Sequence, residues 1–267
     1  MMHEHQCTPG KSLRLDSTST KAKAFRDDRE STEREFEKLR AELIELQRKL
    51  YAEGKHKLLV VLQAMDAGGK DGTIRTVLRG VNPQGVHVES FKKPTEEELA
   101  HDYLWRIHRS VPRAGMIGVF NRSHYEDVLI VRVEKLVSKS VWKSRFDQIN
   151  EFEHMLSETG TKLLKFYLHI SKQEQAERFQ SRLDDPRKNW KFSTEDLQKR
   201  KKWDDYMEAY EDAINLCTTE WAPWHVIPSD QKWYRNFAIC RIIVEALGEL
   251  DPQFPTATID RSQVQID

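Results

Sequence analysis

The chain has 267 residues, with 43 basic and 43 acidic side chains, 38% hydrophobic and 32% charged residues. Such a composition can bury a core for one large domain or two small ones. It excludes a membrane protein, because no apolar run approaches the roughly 18 residues that a spanning helix needs. It also excludes a disulfide scaffold: Cys7, Cys217 and Cys240 are odd in number, widely spaced and form no CxxC pair. With no apolar core of a secretory signal in the first residues, a cytoplasmic location is expected. Zero net charge argues against nucleic acid as a partner. The average hides a basic sector, however, since 16 Lys and Arg stand against 10 Asp and Glu from Gly54 to Arg145, leaving 27 against 33 elsewhere. A basic sector in a neutral chain points to a local anionic ligand.

Taken in chain order, residues 1–29 are polar and without periodicity, which predicts a flexible amino-terminal arm. Thr32, with Glu35 three residues on, reads as a capping box opening a helix. Phe36, Leu39, Leu43, Leu46 and Leu50 then form one apolar stripe. Strand character follows in Leu58–Gln63, Val86–Phe91, Met116–Phe120, Leu163–Ile170 and Trp224–Ile227. Helical patterns separate these segments, and several begin at recognisable caps: Thr95 with Glu98, Ser171 with Glu174, Ser193 with Asp196, and Ser229-Asp230. Near-continuous apolar strands alternating with helices predict an α/β fold with a five-stranded parallel sheet covered on both faces. A basic, irregular stretch at Asp184–Lys191 interrupts the helices of the second half, and residues 251–267 read as a carboxy-terminal tail.

The strongest local signal is the run Leu58–Gln63 followed by Ala64-Met65-Asp66-Ala67-Gly68-Gly69-Lys70-Asp71-Gly72-Thr73. A buried strand enters a Gly-rich turn that ends in Lys and opens a helix, which is the context a phosphate-binding loop requires. Gly68 and Gly69 let backbone N–H groups curl around a phosphate, and Lys70 supplies a movable cation. Ala64 and Asp71 depart from the general motif. Asp66 would repel phosphate unless a divalent cation bridged its carboxylate to the phosphate oxygens. A second strand leads into Asn121-Arg122-Ser123-His124-Tyr125-Glu126-Asp127. Its end can supply acids for magnesium (Glu126, Asp127) and a guanidinium, Arg122, for bidentate contact with a phosphoryl group. The same residues also read as a helix start capped by Ser123. His124 reads as a hydrogen-bonding residue rather than a phosphorylated intermediate.

The segments Ala64–Gly72, Phe91-Lys92-Lys93-Pro94-Thr95, His101–Arg106 and Phe120–Asp127 together resemble the second family of polyphosphate kinases, in order, from about Phe36 to Leu250. The resemblance implies a three-layer P-loop kinase-like fold: a single domain over residues 30–250, with a helical lid at about 171–217. It implies reversible, direct in-line transfer of the terminal phosphoryl of inorganic polyphosphate to AMP or ADP, assisted by magnesium (or manganese). By carry-over, Lys70 and Arg122 hold the phosphoryl group, and Asp66 with Asp127 organises the metal. Lys92 and Lys93 would line a polyphosphate path together with Arg75 and Arg79, while Arg178, Arg182 and Lys188 belong to the lid. Asn121 and Glu126 resemble the subgroup that accepts both AMP and ADP. A homo-oligomer, dimer or tetramer, is expected, with α-helical residues before the first strand as either a contact or an intrachain cover. The rival readings are an ATP-dependent nucleotide or nucleoside kinase, distinguished by the lack of a Lys92–Lys93 path, and a non-catalytic polyphosphate-binding module.

Overall fold

The computed structural model describes residues 4–256 and residue 266. Helix α1 (Arg29–Glu53) starts three residues before the expected capping box. Asp28 is its cap, accepting from the Ser31 amide at 3.0 Å, whereas Thr32 donates its hydroxyl to the Asp28 carbonyl and Glu35 pairs with Arg26 at 2.7 Å. A capping carboxylate one turn earlier satisfies the free amides first. Gly54, at φ +68°, ends the helix in the left-handed conformation.

Strand β1 (Lys57–Gln63) follows, with six of its seven residues buried. A strand hidden on both faces needs apolar side chains at every position, which is why Leu58–Leu62 does not alternate. Helix α2 (Lys70–Val77), β2 (Val86–Ser90), α3 (Glu96–Leu99), α4 (Trp105–Arg109) and β3 (Ile117–Asn121) come next. The Thr95–Glu98 capping box forms as expected at the start of α3. A 3-10 turn (His124–Asp127) then leads to α5 (Ile130–Val133), α6 (Lys139–Glu158) and β4 (Thr161–His169). The second half adds α7 (Lys172–Asp184), α8 (Thr194–Lys201), α9 (Trp203–Leu216), β5 (Trp224–Pro228) and α10 (Lys232–Leu250).

All five strands are parallel, in the order β2-β3-β1-β4-β5. Successive side chains leave opposite faces, so the sheet divides two apolar cores. Leu59, Val61, Phe120, Leu163 and Tyr167 meet α6 and α9 on one side. Leu58, Val60, Leu62, Val119 and Phe166 meet α1 and α10 on the other. Helix α1 is therefore an intrachain cover lying along α10. The order sets the carboxyl ends of β1 and β3 side by side, with Leu62 opposite Asn121. Ligands of open α/β sheets bind in the crevice beyond such ends.

Two expectations change here. Described residues of the arm, from Glu4 onward, are docked rather than flexible: Gln6 bridges His225 of β5, the Cys7 amide donates to the Trp224 carbonyl at 2.8 Å, and Cys7, Leu15 and Ala22 are buried. Edge strand β5 has unpaired backbone groups, and the arm covers them. The few apolar anchors are diluted by polar neighbours, which hid them from composition. The segment expected as a lid is also not uniform. Helix α9 buries Trp203, Tyr206, Ala209 and Tyr210 in the core, so only α7, α8 and their connection lie over the crevice. Residues 1–3, 257–265 and 267 of the expected arm and tail lie outside the described residues. No helix among the described residues is long and apolar enough to cross a membrane.

Candidate active site

At the end of β1 the chain turns through Ala64–Gly69 into α2. Two glycines are required there for different reasons. A Cβ on Gly68 would lie 2.5 Å from the Ala64 Cβ, so close approach demands its absence. Gly69, the residue before α2, has φ +110°, a conformation that L side chains rarely adopt. Lys70 folds back over the loop, its Nζ 2.9 Å from the Ala64 carbonyl. Burial, and then the neighbouring Arg122, push its ammonium down to about 8, with Asp66 among the carboxylates that oppose the shift.

Asp66 sits between two cations: its Oδ1 accepts from Arg122 Nη2 at 2.8 Å and its Oδ2 from Lys199 Nζ at 3.2 Å. Burial works against its charge, but Lys70, Arg122 and Lys199 together hold the carboxyl below the ordinary range. Arg122 comes from the adjacent end of β3 and has φ +65°, unusual for a residue with a side chain. That backbone stores about 1–3 kcal/mol of strain, so its surroundings must hold it. The Arg122 amide donates to the Leu62 carbonyl at 3.1 Å. The next residue, Ser123, caps the turn by accepting from the Tyr125 amide. Behind the turn lies a fully buried network that sequence reading missed. Lys165 donates to Glu153 (2.5 Å), to the Cys217 carbonyl (2.6 Å) and to the Tyr125 hydroxyl (2.8 Å), while Glu153 Oε1 also accepts from His124 and Tyr125. His124 is thus a buried hydrogen-bonding residue, as expected.

These loops floor a cavity of about 1030 Å³. Of the expected residues, Asp66, Gly68, Gly69, Lys70, Asn121 and Arg122 line its base. Arg75 and Lys92 line one wall, and Arg178, Arg182 and Lys188 the roof. Asn121, at the end of β3, donates to Asp71 in the first turn of α2 at 2.7 Å. Arg79, Lys93, Glu126 and Asp127 are not among the lining residues. Glu126 instead faces the Gln63 amide at 3.0 Å once that amide is oriented to satisfy both of its ends. Asp127 Oδ1 accepts from Arg145 at 3.0 Å, and burial raises its carboxyl to about 6 despite Arg145 and Arg106 nearby.

The roof is tied to the floor. Arg178 donates to the carbonyls of Ala67 (2.9 Å), Gly68 (3.1 Å) and Ser229 (2.6 Å), so this arginine clamps the phosphate loop itself. Arg182 reaches the Lys191 carbonyl and Asp196, and Lys188 pairs with Asp185 at 2.9 Å. The most consequential residue missed from sequence is Arg235 on α10. It is 2% exposed, donates to the Gly68 carbonyl at 3.3 Å and otherwise bonds Asn236. Burial, together with Arg178, lowers its affinity for the proton, yet a guanidinium stays charged at neutral pH. The one signal available was a charge set inside the apolar run of α10, where Lys or Arg is rarely buried without a purpose. The loop carbonyls of Ala64, Ala67 and Gly68, which would repel an anion, therefore each face a cation.

Magnesium commonly binds through one or two carboxylates plus substrate phosphates. Asp66 in the cavity base suits that role, and no cluster of three His, Cys, Asp or Glu able to hold a metal by itself occurs among the described residues. The donors present are hard oxygens, which fit a hard divalent ion bound jointly with phosphate.

Comparison with known proteins identifies the family of the chain. Residues 26–255 match the family model described as polyphosphate kinase 2. The chain is 60% identical over 217 residues to an "AMP/ADP-polyphosphate phosphotransferase" of Meiothermus ruber, covering 81% of each. It is 46% identical to an "ADP-polyphosphate phosphotransferase" of Rhodopseudomonas palustris, over 86% of this chain and 84% of that one. Its fold is similar to the crystal structure of polyphosphate kinase 2 from Arthrobacter aurescens TC1, with TM-score 0.92 and 43% identity, covering 97% and 92% of the two chains.

Proposed function

The chain belongs to the polyphosphate kinase 2 family, and from that premise we propose that it moves the terminal phosphoryl group of inorganic polyphosphate reversibly to AMP and to ADP. The observation that carries the proposal is one cavity in which Lys70, Arg122, Arg75, Lys92, Arg178 and Arg182 converge around Asp66. Two polyanions must meet there, and a dense set of fixed cations offsets their repulsion where water is scarce. The acceptance of both nucleotides is supported by the resemblance of Asn121 and Glu126 to the subgroup that uses both, and by the name of the Meiothermus ruber relative, "AMP/ADP-polyphosphate phosphotransferase".

In this reading Lys70 and Arg122 grip the transferring group at the base, and Lys92 with Arg75 carries the donor chain along the wall. Arg79 and Lys93, which do not line the cavity, would extend that path only for a donor chain longer than the cavity holds. Asp66 would hold magnesium, for which manganese can substitute, and Asp127 would join it only on leaving Arg145, with which it is paired outside the cavity lining. The metal, when bound, neutralises phosphate charge and aligns the reacting oxygens. An oxygen of the acceptor phosphate attacks the terminal phosphorus, the bond to the bridging oxygen breaks, and the donor leaves one unit shorter. His124 has no solvent exposure and is engaged by Glu153, which supports direct transfer without a phosphohistidine. The segment Lys172–Lys201, with Arg178, Arg182 and Lys188, acts as the lid that excludes water as a competing acceptor. Assembly as a dimer or tetramer is part of the proposal, supported by the open edge of β2, where Val88 is exposed. Three cysteines without a disulfide support a cytoplasmic setting.

The test is to supply AMP or ADP with polyphosphate and magnesium, and no nucleoside triphosphate. Formation of ADP and ATP, resolved by chromatography, is expected. A strict requirement for ATP as donor would establish the ordinary nucleotide kinase instead.

A further inference from the structure

Nearly everything that lines the cavity is charged, polar or glycine, which suits phosphate but leaves the acceptor's base without an obvious partner. Two aromatic residues line it, Phe91 and Trp190. Phe91 is 6% exposed, with Phe120 packed edge-on at 4.9 Å and the Arg106 guanidinium 5.4 Å from its ring centre. No face of it is open to a base. Trp190, in the connection between α7 and α8, is 78% exposed.

That exposure is costly in water, because an indole is a large apolar surface, and the ring is not loose. Its Nε1 donates to the Arg187 carbonyl at 3.0 Å, and Lys191 Nζ lies 4.9 Å from the ring centre. One edge is therefore fixed while most of the ring stays open in the wall of a cavity lined by lysines and arginines. We propose that Trp190 is the stacking platform for the nucleobase of the acceptor nucleotide, an inference that rests on the proposed function. The side chains around it are unsuited to reading a base edge. Arg187 and Lys188 are both exposed and both pair with Asp185, so no donor or acceptor is held rigidly for one base. Stacking of this kind discriminates by ring area rather than by hydrogen-bond pattern. Adenine and guanine nucleotides are then accepted alike, and pyrimidines less well.

The experiment measures binding to the full chain in magnesium, by calorimetry, of AMP, GMP, ribose 5-phosphate and polyphosphate. Wild type should bind AMP and GMP more tightly than ribose 5-phosphate, which keeps the sugar and phosphate but lacks the base. Trp190→Ala should weaken AMP and GMP by roughly tenfold, leave ribose 5-phosphate and polyphosphate unchanged, and be largely restored by Trp190→Phe. Equal weakening of AMP and ribose 5-phosphate, weakening of polyphosphate, or no change at all would each overturn the proposal. If wild type binds AMP but transfers nothing from polyphosphate, the proposed function fails, while the AMP and ribose 5-phosphate comparison still decides the role of the indole.

Discussion

Adding one methyl group at Gly69 is the sharpest perturbation the site offers. At φ +110° any side chain is strained, by about 1–3 kcal/mol. The new Cβ would also stand 2.0 Å from Arg235 Nη1 and 2.7 Å from its Cζ, closer than Cβ atoms approach anything. Arg235 is buried and cannot swing into solvent, so relieving the clash means breaking its bonds to Gly68 and Asn236. Hydrogen bonds from a charged donor are worth about 1.5–3 kcal/mol each. Together these terms shift the loop by far more than the tolerance of phosphoryl transfer, for which a displacement of about 1 Å costs roughly 100-fold. Gly69→Ala should therefore lower the rate of ATP formation from ADP and polyphosphate by roughly 10²–10³-fold. The control is Gly72→Ala, three residues away in α2. Its Cβ would meet only Arg235 Nη2, at an ordinary 3.7 Å, and alanine in a helix is favoured over glycine by about 0.5–1 kcal/mol. That variant should keep its activity and melt slightly higher. Initial rates, with circular dichroism to confirm folding, read both. Near-normal turnover in Gly69→Ala, or equal damage in Gly72→Ala, would refute the link between this glycine, Arg235 and the loop.

Lys70→Ala should lose at least 10²-fold in transfer rate with its melting curve intact. Because burial depresses the Lys70 ammonium to about 8, a bound polyanion should restore its proton. Polyphosphate binding at pH 9 should thus take up a proton in wild type and less in Lys70→Met, as calorimetry in two buffers of different ionisation enthalpy would show. Asp127 titrates near pH 6, where burial raises it and Arg145 opposes the rise. If its carboxylate is needed, kcat/KM falls below about pH 6, and removing the opposing cation in Arg145→Met should move that limb upward. A limb that stays put or moves down would show that Asp127 does not set it. Lys165→Met should destabilise the fold by about 3–5 kcal/mol in urea unfolding, because it strands the Glu153 carboxylate in the core. A loss below about 1 kcal/mol, as for a surface pair, would contradict that account of the network.

Much of this protein was already legible in linear order. The five strands, the Thr95–Glu98 box and the Ala64–Lys70 turn are local patterns, decided by residues that are neighbours along the chain. The Thr32 start failed because Asp28, one turn earlier, was an equally good cap and came first. Strand order was out of reach, since β3 pairs with β1 through backbone bonds that carry no side-chain signature. The same limit hid the docking of residues 4–28 on β5, where a handful of buried side chains outweigh a polar majority.

The phosphate loop shows the division most clearly. Sequence determined that Gly68, Gly69 and Lys70 could wrap an anion, because conformational freedom and charge belong to the residues themselves. Only the tertiary structure decided what neutralises the loop's carbonyls: Arg178 and Arg235, the latter 167 residues from Gly68 along the chain. It also decided that Asp66 faces Arg122 and Lys199, whereas Asp127 turns to Arg145. Electrostatic partnership depends on distance in space and on burial, and neither quantity exists until the sheet has closed and the helices have packed on it.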